Sequence, residues 1–315
     1  MESVDEKLAR LLADTSRTFA LTIPYLPEPT RRAVMVAYLV LRIADSLEDG
    51  HWPPERKAHE LSALASALRG SEPAALLAFA ARLQEGLPIE QDACLRLMAE
   101  AESVFAALLS FPPGTRGIVA RHTAITSAGM AKSVLRQEGA VLRLHSLPEL
   151  REYCYFVAGA VGEMLSELFL ADWPLLAPVA SALRRDSRAF GEGLQLTNIL
   201  KDADEDAGEG RHFLPESVPR AELFALARQD LDAARRYVGT LREAGAPPGL
   251  LAFTALPVRL AAQTLREVER RGAGAKVARS EVAQAVAELN DALDRGELSA
   301  LLQRGWMLGD LAQPC

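Results

Sequence analysis

The chain has 315 residues, and its 35 basic and 42 acidic side chains give a net charge of −7 and a pI of about 5.4. An acidic chain has no overall basic field to hold a polyanion, so the composition argues against nucleic acid as a partner. The length allows one large helical domain or two ordinary ones. Three cysteines without paired spacing, Cys94, Cys154 and Cys315, indicate free thiols in a reducing compartment.

The first residues and the apolar runs indicate a cytoplasmic protein without a membrane anchor. The opening MESVDEKLAR contains no apolar core segment, so we expect no secretory leader. The longest uncharged run, residues 244–258, holds three prolines and is shorter than the ~20 mostly apolar residues of a membrane-spanning helix. We therefore expect no transmembrane span.

The first segment with chemical interest is residues 38–49, which read YLVLRIADSLED. Asp45, Glu48 and Asp49 stand at positions i, i+3 and i+4, so a helix places the three carboxylates on one face together with Arg42. Residues 55–68 and 74–85, which follow, repeat apolar residues every three or four positions and are predicted helices.

The same spacing returns in residues 195–206, which read QLTNILKDADED. Asp202, Glu205 and Asp206 share one helical face, preceded on it by Asn198 and Gln195. Three neighbouring anions repel one another unless a cation compensates them, and Mg²⁺ typically bridges one or two carboxylates to substrate phosphates. The spacing fits either a metal and diphosphate site or the solvated end of a helix.

The rest of the chain supports an all-α fold. Residues 220–243 form another predicted helix, and the alternating pattern of strands is scarce throughout. Proline and glycine cluster at residues 24–29, 50–54, 112–117, 208–219 and 245–249, where we predict loops. None of these loops resembles a long flexible linker, so we predict a single domain over residues 1–315.

Four blocks follow one another along the chain: Ser16-Arg17-Thr18-Phe19, residues 38–49, residues 153–162 (YCYFVAGAVG), and residues 195–215, which end in GRHFLP. In this order they resemble the squalene/phytoene synthase family, most closely its squalene synthases. The resemblance spans about residues 16–282 and implies an isoprenoid-synthase helical bundle with a central cavity between the two acidic helices. It implies that two farnesyl diphosphates condense to presqualene diphosphate, which NADPH then reduces to squalene.

The resemblance also implies individual roles. Mg²⁺ would be held by Asp45, Glu48, Asp49, Asp202, Glu205 and Asp206, and diphosphate would be bound by Ser16, Arg17, Tyr38, Arg42, Gln195, Asn198, Lys201 and Arg211. Tyr153 would act in catalysis beside Arg42 and the four aspartates, by helping to remove a proton, although a structural hydroxyl fits it equally. Lys276 and Arg279 would bind NADPH or a second phosphate, or form an exposed basic pair. Phe19, Tyr38, Tyr153, Phe156 and Phe253 would line an apolar pocket or pack in the core.

Several alternatives stay open from the sequence. Gly159 and Gly162, at a cost of about 1 kcal/mol each against alanine in a helix, fit either close helix packing or passage of an isoprenoid chain. A dehydrosqualene or phytoene synthase without NADPH, or a non-catalytic scaffold, would share much of this pattern. A hydrophobic product suggests peripheral membrane association during product release, and the oligomeric state is not encoded in any pattern that we find.

Overall fold

The computed structural model describes residues 3–16, 19–50, 52–70, 72–83, 92–137 and 141–308. Across these ranges the regular structure is almost entirely helical, which confirms the all-α prediction. The chain divides into two compact units, one formed by Met1–Pro24 with Glu28–Leu142 and the other by Tyr25–Pro27 with Arg143–Cys315. The single-domain prediction stays a prediction.

The described part of the first unit consists of helices that pack around α3. Their bounds are α1 (Val4–Thr15), α2 (Phe19–Thr22), α3 (Thr30–Asp49), α4 (Pro54–Gly70), α5 (Pro73–Leu83), α6 (Asp92–Ala99), α7 (Ala101–Leu109) and α8 (Pro113–Val134). Helix α3 contacts α1, α4, α6, α7 and α8. Its apolar residues are buried over most of its length, so its acidic end is held on a rigid element.

Helix α1 shows why the sequence starts a helix where it does. The Ser3 side chain accepts a hydrogen bond from the Glu6 backbone N–H, and the Glu6 carboxylate accepts one from the Ser3 backbone N–H. This reciprocal cap satisfies backbone donors that a helix start leaves without partners. Leu8, Leu11 and Leu12 then form the buried face of α1.

The second unit is built around one long helix. Its elements are β1 (Leu142–Arg143), which lies at the border of the units, α9 (Leu147–Cys154), a π-helical turn (Tyr155–Gly159), α10 (Ala160–Asp172), a 3₁₀ turn (Pro174–Val179), α11 (Ala180–Gly208), β2 (Arg211–His212), α12 (Arg220–Glu243), α13 (Pro248–Arg271), α14 (Arg279–Asp294), α15 (Leu298–Gln303) and a second 3₁₀ turn (Trp306–Leu308). Helix α11 contacts α9, α10, α12 and α13. The strands β1 and β2 form a two-stranded sheet.

Glycines allow the tyrosine-bearing segment to approach α11 closely. A Cβ on Gly162 would lie 2.0 Å from the Ser187 carbonyl oxygen, and a Cβ on Gly191 would lie 2.0 Å from that of Ala158. Both distances are far below van der Waals contact, so only glycine fits. Of the two explanations that the sequence left open for Gly162, helix packing is the one that the structure supports.

Loop positions were predicted well except where proline begins a helix. Residues 112–117 were predicted as a loop, but α8 starts at Pro113 and includes Gly114 and Gly117. Proline is well tolerated in the first turn of a helix, where its missing N–H costs nothing, and this explains the error. Similarly, α13 starts at Pro248 inside the loop predicted at 245–249. The predicted helix at 74–85 is confirmed as α5 up to Leu83, and its last two residues lie outside the described ranges.

One helical stretch, Leu147–Asp172, is long and apolar enough to cross a membrane, with a hydropathy of 1.4 in its most apolar window. Half of that window is buried inside the protein, and the core helix of a water-soluble protein passes the same test. The stretch is therefore weak evidence for a membrane span. The expected absence of a transmembrane anchor stays a prediction.

Candidate functional site

The first acidic cluster occupies the last two turns of α3. Arg42 Nη1 lies 3.5 Å from Asp45 Oδ2, one turn further along the helix, as the spacing predicted. Asp49 is exposed, and Glu48 and Asp45 are half-buried. The carboxylates thus lie at the end of a helix whose preceding turns are mostly buried.

A cavity of about 300 Å³ opens beside Arg42. It is lined by Ala13, Asp14, Thr15, Ser16, Arg42, Ala93 and Cys94. Arg42 Nη2 approaches the Cys94 sulfur at 3.6 Å, and the buried Arg42 Nε has no hydrogen-bond partner among the described residues. A buried N–H without an acceptor costs free energy, so the guanidinium has unused capacity for an acceptor such as a phosphate oxygen.

Ser16 and Tyr38 have structural hydrogen bonds in this unit. The Ser16 hydroxyl accepts from the backbone N–H groups of Phe19 and Ala20 at 2.9 and 3.3 Å, which caps α2. The Tyr38 hydroxyl donates to the Thr15 carbonyl oxygen at 2.9 Å, and its ring lies 5.5 Å from that of Phe19. Their predicted roles in diphosphate binding stay predictions, and Arg17 lies outside the described residues.

The carboxyl group of Asp45, in the first cluster, has a raised pKa. Burial raises its pKa to about 6; the nearby Arg42 charge opposes this shift and the Asp49 charge adds to it. Its side chain still has 39% of its surface exposed, so the group lies in a concave site and remains reachable from solvent. A carboxylate that is costly to ionise in the absence of a ligand is typical of functional sites.

Asp45→Asn should therefore stabilise the metal-free protein. Since the folded-state pKa is raised, proton binding favours folding below about pH 4, and this contribution is lost as the pH rises through about 6. Asparagine avoids the cost of the ionised form, which after allowance for solvent screening is about 1 kcal/mol, or roughly 2–4 °C in Tm. Thermal melts with chelator should show this gain at pH 8 and none near pH 4. An equal gain at both pH values would contradict it.

The second acidic cluster lies in the last turns of α11. Lys201 Nζ lies 3.1 Å from Asp202 Oδ2 and 3.5 Å from Asn198 Oδ1, so one cation contacts both polar groups. Gln195 is half-buried one turn earlier, whereas Glu205 is exposed. The helix therefore brings the predicted residues of this motif onto adjacent turns.

Arg211, which follows α11 on strand β2, folds back onto the cluster. Its Nη2 lies 3.0 Å from Asp206 Oδ1 and 2.5 Å from Glu209 Oε2. Burial raises the pKa of Asp206; the hydrogen bond and charge of Arg211 oppose the shift, and the charges of Asp202 and Glu209 add to it. Like Arg42 with Asp45, Arg211 is an arginine held against a cluster carboxylate.

Neither cluster forms a complete metal site by itself. Within the described residues, no three His, Cys, Asp or Glu side chains converge closely enough to hold a metal ion. The donor sets fit Mg²⁺ only as an ion that takes one or two carboxylates and draws its other oxygen ligands from water and phosphate. Magnesium binding by the six carboxylates stays a prediction.

Tyr153 lies in the second unit at the end of α9. Its ring stacks on Phe213, with centroids 4.6 Å apart and an angle of 26° between the planes, and the side chain is buried. Phe213 directly follows β2, so the tyrosine is packed against the segment that carries Arg211. This contact fixes the ring next to the second cluster's arginine-bearing strand.

The other predicted aromatic residues divide between core and partly exposed positions. Phe253 is fully buried and packs edge-on against Phe169 at 6.3 Å, so it belongs to the core of the second unit. Phe156 is half-buried beside Tyr155, in the π-helical turn. Phe19 is partly exposed.

A glycine-containing loop connects the predicted cofactor residues to the second cluster. Residues 272–278 join α13 to α14, with positive φ at Gly272 (93°) and Gly274 (78°). The Gly274 N–H donates to the Lys201 carbonyl oxygen at 2.7 Å. Lys276 and Arg279 are both exposed, Arg279 being the first residue of α14.

An ion network inside the second unit was not predicted from the sequence. Arg151 on α9 pairs with Glu192 on α11 (2.8 Å) and with Asp230 on α12, and Arg188 Nε lies 2.5 Å from the other Glu192 oxygen. Glu192 is fully buried. The available signal was Glu192 itself, a charged residue three positions before Gln195 on the inward face of a helix.

The amino-acid sequence is similar to those of a known protein family. Residues 12–222 match the sequence model of the squalene/phytoene synthase family. The squalene synthase of Schizosaccharomyces pombe is 33% identical over 221 residues, which cover 69% of this chain and 46% of that protein. A relative from Arabidopsis thaliana named inactive squalene synthase 2 is 30% identical over 215 residues, 66% of this chain and 46% of that protein. The chain spans about half the length of these curated relatives.

A solved structure shares the fold. The complex of TcSQS with a ligand superposes with a TM-score of 0.72 at 22% identity, and the match covers 99% of this chain and 94% of that one. At this identity the likeness establishes the fold alone.

Proposed function

The chain belongs to the squalene/phytoene synthase family, and on that premise we propose that it joins two farnesyl diphosphates head to head and reduces the resulting presqualene diphosphate to squalene with NADPH. One observation carries the proposal. Two helices each end in carboxylates at i, i+3 and i+4, and in each cluster a basic side chain contacts an aspartate. Arg42 contacts Asp45 in the first cluster, and Lys201 contacts Asp202 in the second.

These ion pairs suit a site that must accept a diphosphate with its metal ions. In the absence of a ligand, each arginine or lysine neutralises a carboxylate that would otherwise repel its neighbours. With metal and diphosphate bound, the carboxylates would hold the cation and the basic groups would donate to phosphate oxygens, so that each charge would have a partner. Bound Mg²⁺ would neutralise the diphosphate and make it a leaving group.

The protein's own residues would then orient the diphosphate and remove the proton that the substrate loses. Arg42 presents an Nε that has no hydrogen-bond partner in the described ranges, and Arg211 presents a planar fork able to hold two phosphate oxygens. We assign Tyr153 to proton removal because its ring is fixed by Phe213 beside the strand of Arg211. A phenol titrates near pH 10, so it needs a neighbouring phosphate oxygen as the final proton acceptor.

The position and charge of the loop at residues 272–278 favour NADPH binding, which the reductive step requires. It is hydrogen-bonded to the helix of the second cluster through Gly274 and the carbonyl of Lys201, and it carries the exposed Lys276. Arg279 starts α14, where the helix dipole already favours an anion. We therefore place the phosphates of NADPH against this loop, and we expect the protein to work in the cytoplasm and release its product at a membrane surface.

The test is to incubate the purified chain with farnesyl diphosphate and Mg²⁺, with and without NADPH, and to identify the products by mass spectrometry. Squalene formed only with NADPH, and no product with chelator, is the expected result. Product formation that ignores NADPH would make the protein a dehydrosqualene- or phytoene-type synthase, with geranylgeranyl diphosphate as the next substrate to try. If the substrate is left unchanged, a non-catalytic role is favoured. One relative, from Arabidopsis thaliana, is itself named an inactive squalene synthase.

Lys276→Met should weaken NADPH use without affecting the first condensation. Loss of a charged hydrogen bond to a phosphate costs enough to raise the KM for NADPH roughly tenfold. The rate of the first pyrophosphate release should stay unchanged, and presqualene diphosphate should accumulate relative to squalene. An unchanged KM for NADPH would remove this loop from the cofactor site.

A further inference from the structure

A small cavity of about 100 Å³ lies on the flank of the second acidic cluster. It is lined by Arg143, Ile199, Ala203, Asp206, Ala207, Arg211, His212, Phe213, Leu214 and Glu216. Its volume equals that of about three water molecules, enough for a phosphate-sized group. The charged side chains that line the cavity come from four places in the chain, and two of them are arginines.

The two arginines lie on paired strands. Arg143 belongs to β1 and Arg211 to β2, and the Leu144 N–H donates to the His212 carbonyl oxygen at 3.0 Å. Leu142 and Leu144 are both buried, so the alternation of a strand directs Arg143 to the opposite side, towards the cavity. Like charges on neighbouring strands are unfavourable unless anions compensate them.

The anions that compensate the two arginines differ in how firmly they are held. Arg211 pairs with Asp206, whose side chain is mostly buried, and with Glu209. Within the part of the chain that the structure describes, Arg143 pairs with Glu216 at 2.5 Å, and the Glu216 side chain is 84% exposed. An exposed pair of this kind contributes little to stability, so a stronger anion can displace Glu216 at small cost.

We propose that Arg143 is a further diphosphate-binding residue, which Glu216 occupies until the diphosphate of the isoprenoid substrate arrives. The inference rests on the proposed function, because it takes its ligand from there. On entry of the diphosphate, Glu216 turns to solvent and the Arg143 guanidinium donates to phosphate oxygens in the cavity. The diphosphate is then held by arginines from both strands.

The test is calorimetric titration of the full chain with magnesium pyrophosphate. Arg143→Met should weaken binding roughly tenfold, the loss expected for one charge-assisted contact. Glu216→Gln should strengthen binding about threefold, because Arg143 no longer has to leave a partner. The matched controls are Arg228→Met and Glu269→Gln, which break an exposed arginine–glutamate pair between α12 and α13 (2.8 Å) and should change nothing.

The opposite changes in pyrophosphate affinity expected for Arg143→Met and Glu216→Gln distinguish a binding role of Arg143 from a structural one. If Arg143→Met and Glu216→Gln weaken binding equally, the pair merely holds the strands and the proposal is wrong. Wild-type-like binding by Arg143→Met would overturn it while leaving the proposed function intact, whereas no pyrophosphate binding by the wild type would overturn both. NADPH, titrated in parallel, also carries a diphosphate; a loss confined to NADPH would reassign the site to the cofactor and overturn the proposal.

Discussion

Asp202→Asn is expected to lower turnover of farnesyl diphosphate about a thousandfold, the typical loss when one group that stabilises developing charge is removed. Asparagine keeps the shape of the side chain but not the charge that a divalent cation requires, and it leaves Lys201 without its partner at 3.1 Å. Asp45→Asn should cause a loss of the same order, because the proposed condensation uses the carboxylates of both clusters. Steady-state pyrophosphate release measures the effect.

Asp204→Asn is the matched control. Asp204 is an exposed aspartate of α11, two positions beyond Asp202 and therefore on a different face of the helix. Its replacement changes the net charge by the same amount and should leave turnover within about twofold of wild type. If Asp204→Asn and Asp202→Asn reduce activity equally, the effect is one of overall charge, and the assignment of Asp202 to the metal fails.

Arg151→Met is expected to be the most destabilising substitution, at about 3–5 kcal/mol near pH 8. Arg151 is the shared partner of Glu192 and Asp230, both of which are buried and whose pKa values burial raises. Without the arginine, two buried carboxylates lack their main compensating charge, and the ion pair of Arg188 is with Glu192. Urea unfolding followed by circular dichroism should show a large drop in the midpoint.

The pH dependence and a second substitution identify the cause. In Arg151→Met the folded-state pKa values of Glu192 and Asp230 rise further, so stability is regained as falling pH protonates them and is lost as pH rises through those values. Adding Glu192→Gln to Arg151→Met should restore part of the loss at pH 8, a coupling that independent sites do not show. Arg228→Met, at an exposed pair, should cost less than about 0.5 kcal/mol. A deficit that is constant from pH 5 to pH 8 would show that lost packing, and not charge, is responsible.

What the sequence predicted well was local. The i, i+3, i+4 spacing is a property of one helix, so the faces of α3 and α11 and the contact between Arg42 and Asp45 followed from the order of residues alone. Helix α12 was predicted with its bounds at 220 and 243, because its apolar period is uninterrupted. Helix starts at Pro113 and Pro248 were missed because proline both breaks helices and begins them.

What the sequence could not predict joins residues that are distant along the chain. Arg151, Glu192 and Asp230 come from three helices, and no spacing rule connects them. Arg143 is one residue of a two-residue strand, too short for an alternating pattern to be recognised. The hydroxyl of Ser16 caps α2, a contact that no sequence motif indicated, and its predicted role in diphosphate binding stays a prediction. The functional motifs are local, but the contacts that hold them in place are not.

Replacement of Asp45 is expected to change stability and activity in opposite directions. Asp45→Asn should stabilise the metal-free fold and yet remove turnover, because the raised pKa reports a carboxylate that is unfavourable until a cation arrives. Active sites commonly sacrifice stability in this way. A loss of activity in this variant can therefore not be attributed to unfolding.

A single incubation decides whether two allylic chains are joined in this protein. Equal amounts of unlabelled and deuterated farnesyl diphosphate are supplied with Mg²⁺ and NADPH, and the extracted hydrocarbon is analysed by mass spectrometry. Head-to-head condensation predicts squalene in which molecules with one labelled and one unlabelled chain are about twice as abundant as either pure form. Products that contain only one farnesyl chain, such as farnesol or its rearranged isomers, would contradict the proposed condensation.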